Sequence, residues 1–319
     1  MIKRAVISWI GSLLIAYSLQ AQNYQTLIVV AQDGSGDHTT IQSAIDATKS
    51  FPDVPIQIYI KNGVYKEKVI VYSWNTKLSL IGDSTGTTTI SYGDYFKKID
   101  RGRNSTFHTY TLKVEANEFT ARDLVIENTA GEVGQAVALH VESDRVVFES
   151  CTFKGNQDTM YLAGENARQY FKNCTIYGTT DYIFGQATAV FESCEIISLK
   201  SSYITAASTI EDSDYGFVFK DCKIKGEELP EGKTYLGRPW RKYAKTVFIN
   251  CELGAHIIPV GWKEWNSKGT AFYAEYNSIG AGANPANRVD WSHQLTKKEL
   301  KKYTLEKIFR GWNPLKSYF

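Results

Sequence analysis

Five times along the chain a phenylalanine is followed by a cysteine three positions on, and by another apolar residue two positions after that. The frames are Phe148-Cys151-Phe153, Phe171-Cys174-Ile176, Phe191-Cys194-Ile196, Phe219-Cys222-Ile224 and Phe248-Cys251-Leu253. Polar residues fill the positions between, Ile249 excepted. Alternation of this kind, with aromatic and β-branched types, marks short strands with one buried face. The cysteines are 23, 20, 28 and 29 residues apart. Those intervals are too short for β-α-β units and too irregular for propeller blades, which need about 40 residues each. The pattern predicts an all-β solenoid with one coil per repeat. Related strands without cysteine lie at Phe119 to Ile126 and Leu78 to Ile81, so the repeat begins before residue 80.

In a solenoid, equivalent residues of successive coils stack at strand spacing, about 4.8 Å. The five cysteines are therefore expected to form a ladder of reduced, buried thiols; disulfides between rungs are the competing reading. The open ends of such a coil need capping. Thr39 to Thr48 sets Ile41, Ala44, Ile45 and Thr48 at helical spacing behind a threonine cap, a short helix suited to plugging the N-terminal end. Leu295 to Phe309, where lysines alternate with Leu300, Tyr303, Leu305 and Ile308, is expected to be helical and to pack on the outside.

Composition adds the compartment. Of 319 residues 43% are hydrophobic and 22% charged, an ordinary globular balance. Lys3 and Arg4 precede an apolar run from Ala5 to Leu19 and then Ala21, the layout of a signal peptide cut near residue 21. This predicts a leader at 1–21 and a single domain at 22–319, secreted or periplasmic and free of the membrane. Without Lys3 and Arg4 the 36 basic residues become 34, equal to the 34 acidic ones, so charge does not point to nucleic acid. The five histidines show no metal-ligand spacing.

The repeat frame also locates chemistry. Asp158 and Asp181 each lie seven residues after a cysteine, Cys151 and Cys174. In register, their carboxyls would stack about 5 Å apart. Two carboxylates so close do not both ionise cheaply; one keeps a proton while the other is an anion, the division an acid/base and a nucleophile require. Gln157 adjoins Asp158, and Gln135 stands on the preceding coil. Their neutral amides suit an oxyanion hole; ordinary turn residues are the alternative reading for the two aspartates and for each glutamine.

These segments resemble the pectin methylesterase family of carbohydrate esterases. The similarity runs from Gln32–Asp37 through Gly63–Glu67, the Gln135 segment, Gln157-Asp158-Thr159, Asp181–Gly185 and Leu236–Trp240 to Gly261-Trp262 and Trp265. It implies a right-handed parallel β-helix without metal or cofactor, acting on pectin. It further implies Asp181 as nucleophile, Asp158 as acid/base, Gln135 and Gln157 as oxyanion donors and Arg238 as the group holding Asp181. Trp240 and Thr106 would contact the sugar chain. Phe184 and Tyr161 are added as rings able to stack on sugar faces. The sequence departs from the family at Tyr182, Met160 and Gln186, which bears on substrate preference. Stacked, capped coils suggest a monomer.

Rival readings fit less well. A retaining glycosidase also places two carboxylates about 5–5.5 Å apart, but has no need of paired glutamines. A β-helical lyase would want an acidic cluster for Ca²⁺. Gly82-Asp-Ser84-Thr-Gly86 matches a serine-hydrolase motif, yet a strand, not the required helix, is expected after it. A non-catalytic carbohydrate binder would keep the aromatics without the aspartate pair.

Overall fold

The computed structural model describes residues 24–84, 87–265 and 269–316. The expected leader lies outside them. Three parallel sheets, of 11, 7 and 8 strands, run along the described chain. One turn of the coil visits each in order: Val146–Glu149 in the 11-stranded sheet, Thr152–Lys154 in the 8-stranded and Met160–Leu162 in the 7-stranded. Arg168–Lys172 then pairs back beside Val146–Glu149. Such parallel crossovers are right-handed in nearly all proteins. The fold is the right-handed parallel β-helix that the repeat and the resemblance lead one to expect.

The F-x-x-C frame explains the coil. Its phenylalanines pair strand to strand and their rings stack, at centroid distances of 5.2 Å for Phe148–Phe171, 4.8 Å for Phe171–Phe191, 4.6 Å for Phe191–Phe219 and 4.4 Å for Phe219–Phe248. Each buried ring contributes about 1.5–3 kcal/mol from burial. The residue before each cysteine (Ser150, Asn173, Ser193, Asp221, Asn250) turns the corner between two sheets with φ of 53–55°. That left-handed conformation is most accessible to short polar side chains that bond locally. Asn250 Nδ2 donates to Asp221 Oδ1 at 3.2 Å, and Asn277 Nδ2 donates to Asn250 Oδ1 at 3.0 Å. The five cysteines are buried and free, as expected for reduced rungs. The thiol of Cys174, for example, has two carbonyl acceptors within reach of its one S–H, Lys172 at 3.4 Å and Phe148 at 3.5 Å.

Thr40 caps the helix Ile41–Asp46, accepting from Ser43 N, and Ile41, Ala44 and Ile45 join the main core, as the sequence predicts. The C-terminal segment does pack on the outside, but as two separate turns, Lys297–Leu300 and Leu305–Ile308. Thr304 interrupts it by capping the second turn. Leu295, Ile308 and Phe309 cover Val147, Tyr170, Val190 and Val218 on the outer face of the 11-stranded sheet. At the C-terminal end of the coil, rings of Trp262, Tyr273 and Trp291 extend the core. Ser84 is followed by the strand Thr88–Tyr92, not a helix, so the serine-hydrolase geometry is absent there. Among the described residues no helix is long and apolar enough to cross a membrane.

Candidate active site

The connections leading from the 8-stranded into the 7-stranded sheet carry most of the polar chemistry. Met160 pairs with Ile183, an offset of 23 residues, the same as that between Asp158 and Asp181, so the two aspartates occupy adjacent rungs. Asp158 N donates to Thr180 O at 3.0 Å and Asp181 N to Tyr203 O at 2.8 Å, which pins both backbones. Both residues have left-handed φ, 65° and 48°. Non-glycine residues held there cost about 1–3 kcal/mol each and often sit at functional sites.

Both aspartates are nearly enclosed, 9% exposed at Asp158 and 8% at Asp181. Arg238, directly after the strand Tyr235–Gly237, approaches Asp181 in a fork: Nε donates to Oδ1 at 3.0 Å and Nη2 to Oδ2 at 2.6 Å. Its guanidinium is sandwiched between the rings of Tyr203 at 4.0 Å and Trp265 at 4.1 Å. The cation is thereby held in one orientation. Gly237 permits the approach, since a Cβ there would fall 1.9 Å from Thr205 Oγ1. Burial pushes the Asp158 carboxyl well above its ordinary range, and the charge of Asp181 adds to this while Arg238 opposes it. Burial also raises Asp181, against the hydrogen bonds and charge of Arg238. Asp181, alone in having the fork, is the member that ionises first; Asp158 keeps its proton.

A cleft of about 300 Å³ opens over this pair. Gln135, Gln157, Thr106, Phe184 and Trp240 line it with Asp158, Asp181 and Arg238. Eight of the nine residues picked from sequence thus meet at one place. Tyr161 lines an adjoining groove of about 750 Å³ and stacks on Phe184, centroids 4.8 Å apart. Gln135 and Gln157 form an isolated parallel backbone bridge, so they take equivalent positions on neighbouring coils, and both line the cleft. On the outward face of the 7-stranded sheet, Lys113, His140, Tyr161, Phe184 and Ala206 form one row across five strands. Phe184 belongs to a small cluster outside the coil with Val137 and Ala206, so it is cleft floor and not main core.

Sequence reasoning passed over Arg103 and Phe107, which also line the cleft. They stand on the 3-10 turn Gly102–His108, inside a long excursion between Thr88–Tyr92 and Leu112–Val114 that lacks the repeat frame. Tyr203 was missed as well; the row of register partners beginning at Asp158 N and Asp181 N would have reached its strand. Tyr182, one of the departures, is buried and shares a hydrogen bond with Ser198 Oγ at 2.9 Å, so its extra hydroxyl has a partner away from the cleft.

A family model described as Pectinesterase matches residues 27–312. A probable pectinesterase/pectinesterase inhibitor of Arabidopsis thaliana is 40% identical over 299 residues, covering 89% of this chain and 52% of that protein. The chain spans about half the length of the curated relatives it matches first. Among solved structures, the pectin methylesterase from carrot superposes with a TM-score of 0.83 at 33% identity, covering 91% of this chain and 95% of that one. A pectin methylesterase in complex with a hexasaccharide superposes with a TM-score of 0.77 at 29% identity, over 90% and 98% of the two chains.

Proposed function

The chain belongs to the pectinesterase family, and on that premise we propose that it hydrolyses the C6 methyl esters of homogalacturonan to galacturonate and methanol. Asp181, kept anionic by the Arg238 fork, attacks the ester carbonyl. The amides of Gln135 and Gln157 donate to the tetrahedral oxyanion. Asp158 gives its proton to the departing methoxide, so methanol leaves and an anhydride links Asp181 to the sugar carboxyl. Asp158, now a base, takes a proton from water as the water attacks that anhydride; the acid product and free Asp181 result, and Asp158 is protonated again. Trp240, Phe184 and Tyr161 offer ring faces to the sugar chain, and Thr106 a hydroxyl. The reaction needs no metal or cofactor, and the β-helical domain, 22–319, acts as a monomer outside the cytoplasm once residues 1–21 are removed.

The observation that carries this reading is the forked arginine on one member of a buried aspartate pair. The test is methanol release from highly methylated homogalacturonan in EDTA, for the wild type, Asp181→Ala and Asp158→Ala. Methanol from the wild type only is the expected result. The rate should fall at low pH as Asp181 gains a proton and at high pH as Asp158 loses one, both limbs lying above the usual carboxylate value. New reducing ends without methanol would replace the esterase with a glycosidase.

A further inference from the structure

His140 is 1% exposed and sits in the strand Leu139–Val141, between Lys113 and Tyr161 in the outward row whose Phe184 and Ala206 line the cleft. Both of its ring nitrogens face oxygen acceptors. Nδ1 lies 3.2 Å from the backbone carbonyl of Phe107, and Nε2 lies 2.7 Å from Oε1 of Glu142. A neutral imidazole carries one N–H and can serve only one of them; the imidazolium serves both. Glu142 supplies no proton of its own, because the hydrogen bond from His140, with help from Lys113, holds its carboxyl down to about 2. The tie to Glu142 is shorter and charge-assisted, so on deprotonation the bond to Phe107 is the one lost.

That bond has a structural consequence. Phe107 belongs to the turn Gly102–His108, which brings Arg103, Thr106 and Phe107 to the cleft, and the Phe107 ring packs on Tyr161 at 4.7 Å. We propose that His140 is a positioning residue whose protonated ring latches this turn to the cleft floor, so that substrate is gripped more tightly when the ring is charged.

The groups facing the ring set where it titrates. Glu142 favours the charged form; Lys113, which also pairs with Glu115 at 2.7 Å and Glu142 at 3.3 Å, opposes it, as does His108 from the latched turn. Tyr110 and Tyr161 close over the ring edge-on. Burial is the largest influence and brings the titration below the ordinary histidine value, so the latch engages on the acid side of neutrality.

The inference rests on the esterase reading for its kinetic arm but not for its structural one. With a fully methyl-esterified oligogalacturonide, whose own charge does not change, KM should rise about two- to ten-fold as pH climbs through the His140 titration, the effect of one lost hydrogen bond. In His140→Gln, neutral throughout, KM should stay flat with pH; in Glu142→Gln the step should move to lower pH. A KM profile in His140→Gln that follows the wild type overturns the proposal, since a merely structural histidine would shift KM equally at every pH. Independently of activity, ring NMR of the wild type should show Nδ1 gaining its proton in step with slowed amide exchange over 102–108, after correction for the intrinsic pH dependence. A ring that stays neutral wherever the protein is folded, or exchange that ignores its titration, overturns it even if methanol release is never detected.

Discussion

A carboxyl whose ionisation is suppressed by burial, as at Asp158, couples activity to stability with opposite signs. Below the unfolded value of about 3.8 the group is protonated in both states and contributes nothing to pH dependence. As pH rises above it, the unfolded chain ionises freely while the folded one still holds the proton, so stability declines up to the raised folded value. Asp158→Asn should therefore raise Tm at pH 7, by about 2–4 °C for each kcal/mol recovered, with the gain disappearing near pH 3 and methanol release abolished. Differential scanning calorimetry at the two pH values checks it, and an equal gain at both would contradict the linkage. The pair itself was legible in the sequence because Asp158 and Asp181 share one distance from Cys151 and Cys174. The clamp on Arg238 was not: Tyr203 lies on the strand paired with Tyr235–Gly237, but at a longer interval than the one that links the two aspartates, and Trp265 stands outside the strands.

At the scale of the strand, the site depends on how closely neighbouring rungs approach. Gly185 ends the strand Ile183–Gly185, follows the cleft-floor residue Phe184 and pairs with Leu162. Its φ is 127°, and a Cβ would fall 2.0 Å from the Leu162 carbonyl oxygen. Gly185→Ala should push this strand off its neighbour and displace both Phe184 and Asp181. A shift of about 1 Å is enough to lose roughly 100-fold in rate. Kinetics and a melt should show kcat/KM falling far more than folded fraction; intact turnover would mean the strand tolerates the methyl. The period-two frame predicts such strands well, since one face is core. It cannot reveal the C-terminal break at Thr304, where a local cap outcompetes continuation of a helix whose spacing of Leu300, Tyr303, Leu305 and Ile308 suits one long element equally.

Over the whole molecule, each coil touches mainly its neighbours, so damage on one sheet stays far from function on another. Phe309 is fully buried against the outer face of the 11-stranded sheet, its carbonyl accepting from Arg168 Nη1 at 2.8 Å, whereas the cleft lies on the 7-stranded sheet. Phe309→Ala should destabilise by about 3–5 kcal/mol while leaving kcat/KM per folded molecule unchanged at 25 °C. Denaturant titration beside active-site kinetics separates the two, and a matching loss of turnover would reveal coupling across the coil. The five stacked thiols extend the same locality to time. While the coil is closed they are out of reach of oxidants, and no covalent bond of the core depends on the redox poise of the surroundings. Melting releases all five together, an odd number in one chain, so in air some pair wrongly and at least one stays unmatched. The protein thus acquires a chemical memory of having been unfolded: cooling restores it only where a reductant has erased that record.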